Sequence, residues 1–291
     1  MKGNKVKTKK YQKAGIFLGI ILLFAIWLYW GNVSIVLTNY RIASEKIPQA
    51  FHGFEVVQVS DLHNAKFGKN QEKLLSMIDG GTPDIIVVTG DLIDSNHTDV
   101  EAAIEFINRA VKIAPIYYVT GNHEAWSSNY GELKECLEAA GVTILENEAV
   151  TLEREGAKIS LFGVDDPDRA GAGYLTAEAV LAEQLAKKKA EKGTYQILLS
   201  HRPECFETYV KNRCDLILSG HAHGGQVRIP FVGGLVAPNQ GFFPKYTEGL
   251  HVKGNTSMIV SRGLGNSIIP LRVNNRPELV KVTLYHATSK K

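Results

Sequence analysis

The chain has 291 residues, 44% of them hydrophobic, which is enough apolar material for one large or two ordinary globular domains. Its formal net charge is +3, but six of its 33 basic residues are lysines in the first 13 positions, where no acidic residue occurs. The remainder therefore holds 27 basic against 30 acidic residues, a balance of −3, which argues against a polyanion-binding surface. We expect no specific nucleic-acid partner.

An apolar segment follows the lysine-rich tail. No Lys, Arg, Asp or Glu occurs from residue 14 to residue 40. The uncharged, strongly apolar part is close to the ~20 residues that cross a bilayer. Trp27, Tyr29 and Trp30 occupy the place of an interfacial aromatic belt at its end. This pattern is typical of a transmembrane helix.

Two other interpretations of this segment are a cleaved signal peptide and a buried core helix. The apolar region is longer than that of a signal peptide, and no small-x-small cleavage site follows it. Six preceding lysines argue against a core helix. We predict a basic cytoplasmic tail over 1–13 and a single transmembrane anchor over 14–31, with the body outside the cytoplasm by the positive-inside rule.

Behind the anchor we predict a linker with the first strands over 32–50 and one domain over 51–291. Apolar runs typical of strands alternate there with amphipathic helix patterns, which predicts β-α-β units with right-handed crossovers. Helices are predicted over 70–79, 99–111 and 129–140. After Gly141 the pattern changes to consecutive strands, predicted over 142–145, 149–152 and 158–164. A polar helix is predicted over 177–192.

Five of the apolar runs end in Asp, Asn or His. They lead into Asp61-Leu62-His63, Gly90-Asp91-Leu92-Ile93-Asp94, Gly121-Asn122-His123-Glu124, His201 and Gly220-His221-Ala222-His223. A single Asp after a strand is usually an N-cap or turn former, and a single His is usually a core or surface residue. Five such ends are hard to assign to caps. Because ligand sites of open α/β sheets form at the carboxyl ends of strands, we expect these side chains to meet at one rim.

Seven of these side chains are candidate metal ligands: Asp61, His63, Asp91, Asn122, His201, His221 and His223. Carboxylate, imidazole and amide oxygen together favour Mn²⁺, Fe or Zn²⁺ over Ca²⁺ or a thiolate-bound metal. Seven ligands are too many for one tetrahedral site. They suit two cations about 3.5 to 4 Å apart that share one carboxylate.

The three cysteines, Cys136, Cys205 and Cys214, show no C-x-x-C spacing. Cys205 and Cys214 pair only if geometry allows it. We expect all three to be structural or reduced.

The ordered set of five motifs resembles the calcineurin-like metallophosphoesterase family. It runs from residue 61 to residue 223 with no motif missing. The resemblance implies an α/β sandwich of two central β-sheets flanked by helices, behind the transmembrane helix, with 51–291 as the catalytic domain. Segments 220–226, 261–265 and 276–278 resemble the membrane-anchored bacterial branch, whose members include UDP-diacylglucosamine pyrophosphatases and cell-envelope phosphodiesterases. Ser95 and Asn96 follow Asp94 where Ser/Thr protein phosphatases have Arg, which argues against that activity.

The resemblance also implies a role for each motif residue. One metal is expected to be bound by Asp61, His63 and His223, and the other by Asn122, His201 and His221. Asp91 is expected to bridge the two metals. His123 is expected near the leaving oxygen, with Asp94 bonded to its other nitrogen to hold the tautomer. A plain turn former is the alternative role for Asp94.

The activity implied by the resemblance is hydrolysis of a phosphodiester or pyrophosphate bond. A hydroxide bridging two divalent cations (Mn, Zn or Fe) is expected to attack in line, with no covalent intermediate. A membrane or cell-envelope substrate, lipid-linked or a nucleotide diphosphate conjugate, fits the anchored branch. The alternatives are a phosphomonoesterase or nuclease on the same centre, or a non-catalytic metal-binding ectodomain.

Two further sets of residues have weaker assignments. Gln226, Arg262 and Arg272 are candidates for phosphate contact, with ordinary surface pairing as the alternative. Phe242, Phe243 and Tyr246 lie in a loop rich in Gly and Pro and are candidates for an apolar wall along a lipid chain.

Overall fold

The computed structural model describes residues 2–171, 176–187, 193–266 and 269–288. Helix α1 covers Lys2–Val33, and its part Tyr11–Val33 is long and apolar enough to cross a membrane. None of the most apolar part of this stretch is buried against the rest of the chain. The predicted anchor over 14–31 therefore falls within one continuous helix.

The first sheet has six strands. Its order is β1 (Val36–Ser44), β16 (Glu278–His286), β2 (Glu55–Val59), β3 (Ile85–Thr89), β4 (Ile116–Val119) and β5 (Thr143–Ile144). Strands β2 to β5 run parallel, whereas β16 is antiparallel to β2 and parallel to β1. The segment over 32–50 thus supplies an edge strand that pairs with the last strand of the chain.

Helices cross over between the parallel strands of this sheet as predicted. They are α2 (Glu72–Gly80), α3 (Val100–Ala110) and α5 (Tyr130–Ala139). Their inward side chains, such as Leu74 and Phe106, pack on one face of the sheet against Val57 and Val88. A short helix, α4 (Asn122–Trp126), follows β4 directly and was not predicted, because its five residues are too few for a helical periodicity.

The second sheet also has six strands. Its order is β14 (Gly249–Lys253), β15 (Thr256–Val260), β9 (Leu216–Ser219), β8 (Gln196–Leu199), β7 (Ala157–Gly163) and β6 (Glu148–Arg154). Helices α6 (Ala177–Ala186) and α7 (Phe206–Lys211) cover its outer face. The predicted helix over 177–192 ends at Ala186, and residues 188–192 lie outside the described part of the chain.

The two sheets pack face to face. Val56 and Val87 of the first sheet meet Leu161, Leu199 and Leu218 of the second in one apolar core. Helices on both outer faces complete an α/β/β/α sandwich, which confirms the predicted fold class. Two short ribbons lie after β9: β10 (Arg228–Ile229) with β11 (Gly233–Gly234), and β12 (Val236–Ala237) with β13 (Gly241–Phe242). No disulfide forms among the three cysteines, so the possible pair Cys205–Cys214 is absent.

Candidate metal centre

The polar ends of five strands converge at one rim of the sandwich. Strands β2, β3 and β4 of the first sheet and β8 and β9 of the second all end there. The nine predicted site residues are all buried: Asp61, His63, Asp91, Asp94, Asn122, His123, His201, His221 and His223. Apolar packing of the two sheets thus carries carboxylates and imidazoles into a desolvated place, where a polar group without a partner is costly.

The backbone at this rim is strained. Asp61, His63, Asp91, His221 and His223 have positive φ angles of 51°, 44°, 51°, 67° and 46°. Residues other than glycine rarely adopt this region, and each instance costs about 1–3 kcal/mol. Such strain persists where the surrounding fold determines the backbone, and it clusters at functional sites.

Asp91 lies between two groups of potential ligand atoms. One group combines it with Asp61, His63 and His223, and the other with His201 and His221. Its Oδ2 is 3.5 Å from His63 Nε2 and 3.1 Å from His201 Nε2. Gly121 makes room for this carboxylate, since a Cβ at Gly121 would stand 2.2 Å from Asp91 Oδ1. Asp91 is the residue common to both groups, the arrangement expected of a bridging carboxylate.

The first group is held by backbone and hydroxyl contacts. Asp61 Oδ1 accepts from the His221 backbone N–H at 2.9 Å, and Asp61 Oδ2 accepts from Ser60 Oγ at 2.6 Å. His223 Nε2 lies 3.4 Å from Asp61 Oδ1 and 3.3 Å from His63 Nε2. Two imidazole nitrogens and a carboxylate oxygen therefore face one small volume, as a cation site requires.

The second group and Asn122, which follows Gly121, contain buried polar atoms without a hydrogen-bond partner. His201 Nδ1 lies 2.7 Å from the Thr89 carbonyl and donates to it, so the Nε2 of the neutral ring turns a lone pair toward Asp91 Oδ2 at 3.1 Å and receives no hydrogen bond. Asn122 Oδ1 is likewise buried without a partner. An orphaned buried acceptor costs about 1–3 kcal/mol, and a bound cation removes that cost. The donor set of carboxylate, imidazole and amide oxygen fits a borderline divalent metal.

The ionisable groups tune one another. Burial raises the pKa of Asp61. Burial also acts to raise that of Asp91, but the imidazoles of His201 and His63 outweigh it and leave the Asp91 pKa well below its ordinary value. Burial lowers the pKa of His221 and His223, with Arg202 and His63, respectively, adding to the effect. Burial also acts to lower the pKa of His63 and His201, but Asp94 and Asp91, respectively, outweigh it and raise the pKa of both. Metal binding, which requires neutral imidazole, would therefore release a proton from these two rings.

His123 and Asp94 depart from expectation. Asp94 Oδ2 is 3.7 Å from His123 Nδ1, too far for a hydrogen bond, so the expected Asp94–His123 bond is wrong. Asp94 Oδ1 instead accepts the backbone N–H groups of Asn96 and His97 at 2.8 and 3.0 Å, the turn-forming alternative. The backbone N–H of Ser95 donates to His123 Nδ1 at 3.0 Å. Because a peptide N–H can only donate, the neutral His123 ring carries its proton on Nε2.

Glu124 has a positioning role that sequence reasoning left unassigned. Its carboxylate accepts the backbone N–H groups of Gly121, Asp91, Leu92 and Ile93, at 2.7 to 3.2 Å. Burial and the charge of Asp91 raise its pKa to about 7. Glu124 thereby ties the turn after β3 to the start of α4. Its place beside Asn122 and His123 in one motif was the available signal.

A buried ion pair, Arg202 with Asp166, was also missed. Arg202 Nε and Nη2 bind the two oxygens of Asp166 at 2.5 and 2.7 Å, and Arg202 Nη1 lies 3.2 Å from His221 Nε2. The bidentate geometry is the strong form of this interaction. The two residues are 36 positions apart, and no spacing rule links them.

The weaker candidates mostly have structural partners. Gln226 donates to the Ile269 and Leu271 carbonyls, and Arg272 donates to the Arg262 and Gly265 carbonyls. Both side chains are buried, and their hydrogen bonds hold neighbouring loops together. The remaining candidates divide as follows: Arg262 pairs with Glu278 at 3.2 Å, Tyr246 is buried against Phe206, and Phe242 and Phe243 are exposed.

Comparison with known proteins identifies relatives. The calcineurin-like phosphoesterase family model matches residues 54–225. The chain is 33% identical over 255 residues to the uncharacterized metallophosphoesterase YkuE of Bacillus subtilis, covering 85% of this chain and 84% of that protein. It is 28% identical to phosphodiesterase YaeI of Escherichia coli, covering 79% and 82%. A transmembrane protein with metallophosphoesterase domain from Danio rerio is 27% identical, covering 92% of this chain and 62% of the longer relative.

Proposed function

The chain belongs to the calcineurin-like phosphoesterase family, and we propose that it hydrolyses a phosphodiester or pyrophosphate bond of a membrane or cell-envelope substrate. It is a metal-dependent phosphoric ester hydrolase by this membership. The domain over 51–291 carries the reaction, and α1 anchors it to the membrane. The relative from Danio rerio is itself named a transmembrane protein, which supports the anchor.

One observation carries the proposal. Asp91 belongs to two of the three buried groups of potential ligand atoms, and two buried atoms at this rim, His201 Nε2 and Asn122 Oδ1, have no hydrogen-bond partner. Most buried polar atoms of a purely structural cluster have a partner within the protein. A pair of divalent cations is the occupant that this donor set suits.

Each group of residues then has a task. Asp61, His63 and His223 would hold one cation, Asn122, His201 and His221 the other, and Asp91 would bridge them. When bound, two such cations make a water nucleophilic at neutral pH and neutralise charge on the phosphoryl group. Glu124 and Gly121 keep Asp91 in place, and Ser60 orients Asp61.

His123 is the residue for the leaving group. Its Nδ1 accepts from the Ser95 backbone N–H, so the neutral ring holds a proton on Nε2. Burial lowers the pKa of His123. A lowered pKa makes the ring a stronger proton donor once it is charged, and the neutral ring still donates a hydrogen bond to a departing oxygen. Asp94 acts indirectly, by fixing the turn that presents the Ser95 N–H.

A cavity supports an apolar element in the substrate. About 250 Å³ of space lies beside His223, and its lining is mostly apolar: Ala222, Val236, Ala237, Pro238 and Ile269. Such a surface suits a lipid-linked phosphate better than a free nucleotide. The charge of the lysine-rich tail supports an orientation with the body outside the cytoplasm.

The test compares hydrolysis of a chromogenic phosphodiester, its monoester and a nucleotide diphosphate sugar. The full chain in detergent is stripped of metal and reloaded with Mn²⁺, Zn²⁺ or Fe²⁺. We expect metal-dependent turnover that favours the diester or the diphosphate over the monoester. Preference for the monoester would establish the phosphomonoesterase alternative. Folded, metal-loaded protein that hydrolyses none of the three would contradict the proposal.

A further inference from the structure

Two exposed turns near the metal centre carry large apolar side chains. Phe231 and Val232 lie in the turn between β10 and β11, and Phe242 and Phe243 lie at the end of β13. Phe231 is fully exposed, and the other three are 61 to 75% exposed. We propose that these four residues, the apolar turns, enter the interface of the bilayer that α1 crosses. The apolar turns would then hold the rim of the metal centre against the membrane surface.

The conformation of the apolar turns is unusual for their residues. Phe231 and Phe243 have positive φ angles of 67° and 53°, a region that bulky side chains rarely adopt. Neither ring gains burial within the chain in return. Exposure of four large apolar groups, two of them at strained positions, therefore has no explanation in the packing of the body.

The end of α1 is hydrogen-bonded to the body. Asn32 Nδ2 donates to the Arg272 carbonyl at 2.9 Å, and the Arg272 N–H donates to Asn32 Oδ1 at 2.8 Å. The Arg276 guanidinium lies 4.5 Å from the centre of the Trp30 ring. The segment around residues 272–276 therefore marks the side of the body at which the chain would leave the membrane.

The first apolar turn, Phe231 and Val232, is joined to this same segment. The Arg228 N–H donates to the Val273 carbonyl at 3.0 Å, and Val273 is next in sequence to Arg272. Phe231 follows Arg228 by three residues, which span at most about 10 Å even when extended. Phe231 therefore lies within about 10 Å of Arg228, which is hydrogen-bonded to the segment around residues 272–276 that contacts the end of α1. A bilayer crossed by α1 and the first apolar turn lie on one side of the body.

The composition of the segment suits this environment. No Asp or Glu occurs between Gln226 and Thr247, and Lys245 is basic, whereas the charge of Arg228 is paired with Glu248. Aromatic and basic side chains without acidic ones favour the headgroup region, where aromatic rings have an apolar face and anionic lipids attract cations. A solvent-facing loop of a soluble body has no need of this composition.

The test measures membrane depth and requires no turnover, so it is independent of the proposed hydrolase activity. Phe231→Cys is placed in the full chain with Cys136→Ala and labelled with the fluorophore NBD, while Cys205 and Cys214 are buried. The labelled chain is reconstituted in phosphatidylcholine and phosphatidylglycerol vesicles. Flotation first establishes membrane incorporation. We then expect blue-shifted NBD emission that lipids with nitroxide-labelled acyl chains quench.

Val252→Cys is the matched control. Val252 is also apolar and 62% exposed. It lines a cavity with Ser44, which is eight residues along β1 from Val36 and therefore about 26 Å from the α1 end of that strand. Its probe should stay unquenched. Phe243→Cys provides a second site that should behave like Phe231→Cys.

Three results would overturn the proposal. If the chains float but the probes at Phe231→Cys and Phe243→Cys stay as unquenched as the probe at Val252→Cys, the apolar turns lie in water. A blue shift that depends on protein concentration and not on nitroxide lipids assigns the surface to a second copy of the chain. If the chains do not float at all, α1 does not anchor the protein in the bilayer and the apolar turns have no membrane to enter.

Discussion

The two ends of the sandwich differ in whether their buried ionisable side chains are paired within the protein. At the amino ends of β8 and β9, a cavity of about 480 Å³ is lined by residues that include Lys46 and Asp215. Asp215 is nearly buried, but its oxygens accept from Lys46 Nζ at 2.8 Å and from the Gln196 N–H at 3.0 Å. At the carboxyl ends, the cavity beside His223 is only about 250 Å³, yet buried ligand atoms there have no protein partner.

Cavity volume is therefore a poor guide to the site in this molecule. The larger cavity has a carboxylate that the fold already neutralises, so it offers little to a ligand. The smaller one adjoins orphaned acceptors and five non-glycine residues at positive φ. Unsatisfied burial and backbone strain are costs that persist where a bound group or a reaction requires them.

The sharpest contrast between the two ends comes from neutralising one aspartate at each. Asp91→Asn should abolish binding of both metals and reduce hydrolysis to background, because Asp91 is shared by both ligand groups. Asp215→Asn should keep both metals and full activity. Its free energy of unfolding should fall by about 1 kcal/mol or less, because its partner Lys46 is half exposed. Metal content by mass spectrometry and diester hydrolysis measure the two variants. Two retained metals in Asp91→Asn would remove Asp91 from the bridge.

A second variant separates metal binding from proton donation within the carboxyl-end rim. His123→Ala should keep both metals and lose about 10² to 10⁴-fold in kcat, since His123 would act on the leaving group. The nearby His97, whose side chain is 93% exposed, provides the control: His97→Ala should leave kcat unchanged. Metal loss in His123→Ala would instead make His123 a ligand or a structural residue.

The variant with the smallest expected effect fills the space that Gly121 leaves beside the Asp91 carboxylate. In Gly121→Ala the new Cβ would meet Asp91 Oδ1 at 2.2 Å, so the carboxylate must move. Metal affinity should fall about 10 to 100-fold, as when a group that orients a ligand is lost. Gly131→Ala is the control, because its Cβ meets nothing within 4 Å, and it should stabilise the protein by at most about 1 kcal/mol. Equal metal affinities in titrations of both variants would show that the Asp91 carboxylate can move without weakening the metal sites.

Local sequence patterns were sufficient to predict most helices and strands around the site and the residues that form the candidate site. Helices over 70–79 and 99–111 and the strands that lead into Asp61, Asp91 and His201 could be predicted because each segment has its own apolar period. The convergence of the strand ends within each sheet also follows from the sequence, because parallel strands place their carboxyl ends on one edge, and the two sheets of the structure share that rim. Nine residues far apart in the chain could therefore be expected together, while their roles as ligands and catalysts stay predictions.

Other features depended on segments that no local pattern connects. Arg202 binds Asp166, β1 pairs with β16 across the length of the chain, and the Ser95 N–H takes the place at His123 that Asp94 was expected to fill. Gln226 and Arg272 have the chemistry of phosphate ligands, but the loop path gives their donors to backbone carbonyls. Sequence alone determined which side chains reach the rim, through periodicity and strand direction. Only the tertiary structure decided which partner each one meets, because hydrogen bonds depend on ångström-scale placement of distant backbone segments.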